Sequence, residues 1–159
     1  MQDRNLINGV LFFKSGFMYA NVHAILALKN KYKKNLKKKN ENSKEKITRK
    51  ETANTFFINM IKNFVCEYKN PNYTTIINVS GITMSLFQKE SEFVTSIVHS
   101  SSMWDYSLPN KCYIINVPYI FGQIWKSILP FISKESKAII EIIDAKKKIE
   151  ISNSVPFEI

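Results

Sequence analysis

Apolar and polar positions come in blocks along this chain, and the blocks switch between two periods. Over residues 52–68, "TANTFFINMIKNFVCEY", Phe57, Met60, Ile61, Phe64, Val65 and Tyr68 fall on one face of an α-helix. "NPNY" breaks that pattern, because Asn and Pro favour turns. "TTIINVSG" follows with β-branched residues at 74–77 and 79 and closes on Gly81, which predicts a strand.

Ser85-Leu86-Phe87-Gln88 has the spacing of a capping box and is expected to open the next helix. Phe93, Val94, Ile97 and Val98 would form the buried side of that helix. "SLPNK" is a break, and "CYIINV" is the second clear strand. Its unbroken apolar run suits a strand buried on both faces, as in a parallel sheet covered by helices.

Pro118 stops this strand. Phe121, Ile124, Trp125, Ile128 and Ile132 then make a helical stripe, and Pro130 is expected to end or kink the helix. Residues 137–143, "KAIIEII", are β-rich but alternate less clearly, so helix stays open there. Val155-Pro156 opens a last short piece. Near the start, a strand at 10–14 and a helix from about Met18 are expected. The alternation of strand and helix predicts an α/β fold, a mostly parallel sheet of about four to five short strands covered by helices.

Composition modifies this picture in one place. The chain has 159 residues and a formal charge of +10, enough length for one domain with a real core. Residues 29–50, "KNKYKKNLKKKNENSKEKITRK", hold eleven Lys or Arg and two Glu, and the rest of the chain is close to neutral. A polar, lysine-rich block of this kind is expected to be a disordered insertion. The block contains Tyr32 as its one aromatic residue, so it lacks the stacking groups of single-strand binders, which argues against nucleic acid. A tether to an anionic membrane surface suits it better. The segment 9–28 is interrupted by Lys14, Asn21 and His23 and is not expected to span a bilayer, which takes about 20 apolar residues.

Candidate chemistry is sparse. Two cysteines, Cys66 and Cys112, sit in or beside apolar runs without paired metal spacing, which points to buried, inert thiols in a reduced, cytoplasmic setting. "HSSSMWD" collects a His, three Ser and an Asp, but no G-x-S-x-G accompanies it, so it reads as a polar helix end. Four glycines, Gly9, Gly16, Gly81 and Gly122, cannot build a phosphate-cradling loop. No catalytic residue, metal ligand or cofactor is expected.

"TTIINVSGITMS" followed by a helix, then "LPNKCYIINVPYIFGQIWKSILPFIS", resembles the CRAL-TRIO lipid-binding family, the phosphatidylinositol-transfer proteins in particular. Tyr113 to Pro118 match its Tyr-Ile-Ile-Asn-x-Pro strand, and Pro130-Phe131-Ile132 its helix end. Val155-Pro156 looks like the Leu-Pro step before its last strand. Asn78 stands where the family usually has Asp. The family's pattern runs on past Ile159. The resemblance therefore implies a first strand and helix over 1–28, the insertion over 29–50, and the main part of the domain over 51–159 with its C-terminal part missing.

The implied function is non-catalytic lipid binding or transfer, of a phospholipid such as phosphatidylinositol or phosphatidylcholine, in an apolar cavity, with peripheral membrane association. The alternative is an interaction or membrane-tethering module that keeps the fold without a working cavity. By the resemblance, Phe121, Ile124, Trp125 and Ile128 bound the cavity, and Gln123 lies where polar side chains meet the lipid head. Tyr68 stands where a helix residue reaches a lipid, or else is a core ring with its hydroxyl at the rim.

Overall fold

The computed structural model describes residues 9–37 and 43–159, with the side chains of 9–36 and 49–159. The first apolar run is a hairpin. Strand β1 (Leu11–Lys14) pairs antiparallel with β2 (Phe17–Asn21). Ser15 and Gly16 both take positive φ, 49° and 81°, which is the two-residue turn whose twist matches the flanking strands. Helix α1 (Val22–Lys37) starts only after β2, where Asn21 Oδ1 accepts from the Ala24 amide at 3.0 Å. The expectation of a helix from Met18 is thus corrected. Met18 and Ala20 belong to a strand, because the Ser-Gly turn sends the chain straight back along β1.

Helix α2 (Ser43–Glu67) leads to β3 (Thr74–Asn78), and α3 (Met84–Ser101) joins β3 to β4 (Lys111–Ile115). The cap of α3 is Thr83, whose Oγ1 accepts from the Leu86 amide at 3.1 Å. Ser85 lies inside the first turn, two residues beyond the true cap. Helix α4 (Phe121–Ile128) runs into a 3₁₀ turn (Leu129–Phe131), as Pro130 requires. The ambiguous run at 137–143 splits: α5 (Lys134–Ile139) takes its first half and β5 (Ile140–Ile142) its second. Helix α6 (Ala145–Ser152) is capped by Asp144. Residues 153–159 form no strand, and Val155 is buried.

The five strands form one sheet in the order β1-β2-β3-β4-β5. β2 through β5 are parallel, with Thr75 opposite Cys112 and Ile77 opposite Ile114. Because the order never reverses, crossovers of one hand put every connecting helix on the same face. Two cores follow. On the helix-covered face, Leu26, Phe57, Phe93, Phe121 and Ile124 pack over Ile114 and Val79. On the other face, Tyr19, Ile76 and Ile115 are covered by Ile151, Val155 and Phe157 from α6 and the chain's end. Ile76 and Ile115 are fully buried, and burial of each contributes about 1.5–3 kcal/mol.

The lysine-rich stretch is not a disordered insertion where it is described. Residues 29–37 continue α1 and residues 43–50 open α2; residues 38–42 lie outside the described residues. Lys29 is among the most deeply buried side chains of the chain. Its Nζ lies 2.6 Å from Glu90 Oε2 and 5.0 Å from the centre of the Phe93 ring. Tyr32 stacks on Phe56 of α2 at 4.6 Å. Both residues are turned inward because Val22, Ile25, Leu26 and Leu28 set the buried stripe of α1, and Lys29 and Tyr32 continue it at helical spacing.

Candidate functional site

Between the sheet and its helix layer lies a cavity of about 350 Å³. Period-two alternation decides which strand residues reach it. Tyr73, Thr75, Ile77 and Val79 from β3 and its flanks face it, as do Cys112 and Ile114 of β4 and Met18 and Ala20 of β2. From the helix side come Phe87, Phe93, Val94 and Ile97 of α3 and Phe121, Ile124, Trp125 and Ile128 of α4. Among the described residues no charged side chain lines it.

The polar groups gather at one end. Ser101 and Ser102 close α3, Trp104 and Tyr106 follow in the loop to β4, and Ser133 and Ser136 open α5. Ser102 and Leu108 are the exposed members of the wall among the described residues, so this end is the mouth. Thr75, in the second position of β3, is 2% exposed, and its Oγ1 has no hydrogen-bond partner among the described residues. An unmatched buried hydroxyl costs about 1–3 kcal/mol, and this one faces the cavity.

The titratable groups of the wall are all held neutral. Burial pushes the Cys112 thiol up to about 12. It also raises the phenols of Tyr73, whose hydroxyl donates to the Ser107 carbonyl, and Tyr106, where a hydrogen bond from Ser136 works the other way. A dry apolar wall disfavours the charged form of each. Among the described residues this arrangement pairs no nucleophile with a base. His99 is exposed and edge-on to Phe131, the hydroxyls of Ser100, Ser101 and Ser102 donate to carbonyls of their own helix, and Asp105 sits out in solvent.

The sequence profile of the CRAL/TRIO domain matches residues 25–159. The chain belongs to the CRAL/TRIO domain family. CRAL/TRIO domains are lipid-binding and lipid-transfer modules, and a cavity with neutral apolar walls is the part of this chain that suits a hydrophobic ligand. Fourteen chains of solved structures match. One is the crystal structure of Sfh5, at a TM-score of 0.52 and 13% identity, covering 89% of this chain. At that identity the likeness speaks for the fold. The chain spans 48% of the length of that structure. No curated protein matches.

Within this CRAL/TRIO domain, the six residues singled out from the sequence divide. Phe121, Ile124, Trp125 and Ile128 stand together on the wall, three of them buried and Trp125 half-buried. Gln123 is exposed on the opposite side of α4, and Tyr68 lies outside the cavity, stacked on Phe13 with ring centres 3.8 Å apart. Tyr73, five residues further on, reaches the wall, as does Tyr106. Sequence reasoning missed Thr75. The strand's alternation places it on the face of Ile77 and Val79, where a hydroxyl is out of keeping with its neighbours. Asn78, where the family usually has Asp, faces the other way: its side chain bonds Tyr19, Asn116 and the Ser80 amide.

Proposed function

We propose that this domain binds a phospholipid, of the phosphatidylinositol or phosphatidylcholine type, by an acyl chain held in the cavity, and carries it between membranes without catalysing a reaction on it. The observation that supports this most is the wall itself. It joins Phe121, Ile124, Trp125 and Ile128 to the apolar face of the sheet with no charged side chain among its described residues, and its volume lies within the range of about 300–1,000 Å³ usual for ligand sites. The volume is at the low end of that range, which suits a chain rather than a whole two-chain lipid.

The hydroxyl end gives the lipid a direction. Thr75, Tyr106, Ser133 and Ser136 are neutral donors and acceptors near the mouth, suited to an ester or hydroxyl group of the ligand, while the charged phosphate stays in water outside. Membrane tethering belongs to the same reading. Lys31 and Lys34 of α1 are exposed and available to anionic headgroups, whereas Lys29 is not. The alternative is a protein-interaction or membrane-tethering module that keeps the fold without a working lipid cavity; the space between sheet and helices favours the lipid reading.

Titration with a phospholipid carrying a conjugated fluorescent acyl chain tests the proposal. Trp125 lines the cavity, so its emission should fall saturably as the acyl probe enters. Emission that declines without saturation, or not at all, would speak for a domain that does not take up lipid.

A further inference from the structure

The connection between α3 and β4 roofs the open end of the cavity. Residues 102–110 form neither helix nor strand, and Trp104, Tyr106, Leu108 and Pro109 from this stretch line the cavity. Its two ends are tied. The Met103 amide donates to the Ser100 carbonyl at 2.9 Å, and the Asn110 amide to the Tyr73 carbonyl at 2.8 Å. Between those ties the backbone amides of residues 105–108 donate to no backbone carbonyl among the described residues. The chain between α2 and β3 holds the loop instead. Lys69 Nζ donates to the Asp105 carbonyl at 3.2 Å and stands 3.7 Å from its carboxylate. Ser107 Oγ donates back to the Lys69 carbonyl at 3.4 Å. The Tyr73 hydroxyl donates to the Ser107 carbonyl at 2.5 Å. Across the opening, Tyr106 shares a hydrogen bond with Ser136 of α5. The Lys69 and Asp105 side chains are 63% and 105% exposed, so water competes for that pair. Tyr73 is buried, and its bond to Ser107 is the firmest hold on the loop. Contacts of this kind break singly, whereas the strands and helices beneath are packed as a unit.

We propose that residues 104–109 form a lid over the cavity, latched by the Tyr73 hydroxyl on the Ser107 carbonyl with Lys69 as an outer clasp, and that release of this latch sets how fast a hydrophobic ligand enters and leaves. The ties at Met103 and Asn110 stay made while the segment between them lifts. The latch joins two pieces of backbone and touches no ligand through Lys69, so it is made in the empty and the filled protein alike. It therefore slows entry and exit together and leaves affinity unchanged. Lys69 and Tyr73 act here as positioning residues. The proposal rests on the lipid-binding reading and adds the segment that opens.

Cys112 reports the lid in the empty protein, because its buried thiol lies on the cavity wall. Cys66→Ala in the full chain leaves Cys112 as the one cysteine. Its labelling by a small maleimide then follows the open population. Tyr73→Phe keeps the ring and removes the donor, and should speed labelling about two- to tenfold, the change in population that one net hydrogen bond sets. Low urea should leave that rate unchanged, since the opening is local. Stopped-flow mixing with a fatty acid carrying a conjugated-polyene chain reads the exchange. Lys69 lies off the cavity wall, so Lys69→Met should raise association and dissociation rates together by about twofold with Kd held, and Lys69→Arg should restore the parent rates. Labelling that Tyr73→Phe leaves unchanged overturns the lid, as does a rate that climbs steeply with urea, which marks global unfolding as the route. Dissociation rising alone in Lys69→Met also overturns it. A chain that takes up no fatty acid, yet whose labelling responds to Tyr73→Phe, keeps the lid and removes the lipid reading.

Discussion

Lys29 of α1 and Glu90 of α3 meet at 2.6 Å with both side chains shut away from water, 2% and 4% exposed. The pair sits behind Phe93, one of the cavity's wall residues, and ties the first helix to the helix that crosses from β3 to β4. Removing one partner leaves the other charge buried and uncompensated, which costs about 3–5 kcal/mol. Lys29→Met should therefore lower the urea midpoint strongly. Lys29→Met combined with Glu90→Leu should recover most of that loss, because an apolar pair removes both desolvation penalties. A single variant as stable as the parent would show that the pair is not excluded from water in solution.

Thr75 gives the opposite kind of prediction. Its hydroxyl is buried and unmatched, so Thr75→Val should stabilise the lipid-free protein by up to about 1–3 kcal/mol. The same change should weaken binding of a ligand with an ester or hydroxyl group more than binding of a plain hydrocarbon of equal length. Chemical denaturation and a paired ligand titration check the two halves. Equal weakening for both ligands would remove the hydroxyl's part in recognition.

Alkaline conditions should destabilise the fold in a defined window. The Cys112 thiol is raised from 9.0 to about 12, so the folded state keeps its proton where the unfolded chain gives it up. Its contribution is whole below pH 9, falls as pH rises from 9 and is spent by about 12. Tyr73 and Tyr106 are raised by burial as well and act in the same direction from pH 10 upward. Stability measured by denaturant melts should be level to pH 9 and then drop, and Cys112→Ala should flatten the first part of that drop. A slope unchanged in Cys112→Ala would mean the thiol is wetter than its place on the wall requires.

The residues of α4 separate cavity from core. Trp125 is half-buried and its ring stacks near Phe121 at 6.2 Å. Trp125→Ala should cost less than the roughly 3–5 kcal/mol of a fully packed tryptophan and should lower acyl-probe occupancy clearly. Gln123→Ala should change neither, because Gln123 faces solvent. Loss of probe binding in the Gln123 variant would require the lipid to reach around α4.

What the sequence made legible follows the strength of local signals. β3 and β4 were plain because short runs of β-branched and apolar residues between turn residues have few other fates, and α4 because Phe121, Ile124, Trp125 and Ile128 fall on one stripe next to a helix-ending proline. The hairpin was missed because Ser15-Gly16 sits inside a long apolar run, where two positive φ values outweigh the helical look of the residues after it. Lys29 was hidden by its neighbours: composition put it in a solvated block, whereas its position in the stripe of α1 put it in the core. Tyr68 lies off the wall and Tyr73 on it, because a helix end and a strand start differ in which way they turn a ring. Only the sheet's register shows that.

The central claim is that the cavity between sheet and helices holds lipid. Purifying the protein without detergent from cells, then combining native mass spectrometry with mass analysis of an organic extract, tests it most directly. The account predicts a bound species heavier than the bare chain by the mass of a lipid, found again in the extract and reduced in Trp125→Ala. A folded protein that carries no lipid, and takes up none when incubated with phospholipid vesicles, would contradict it.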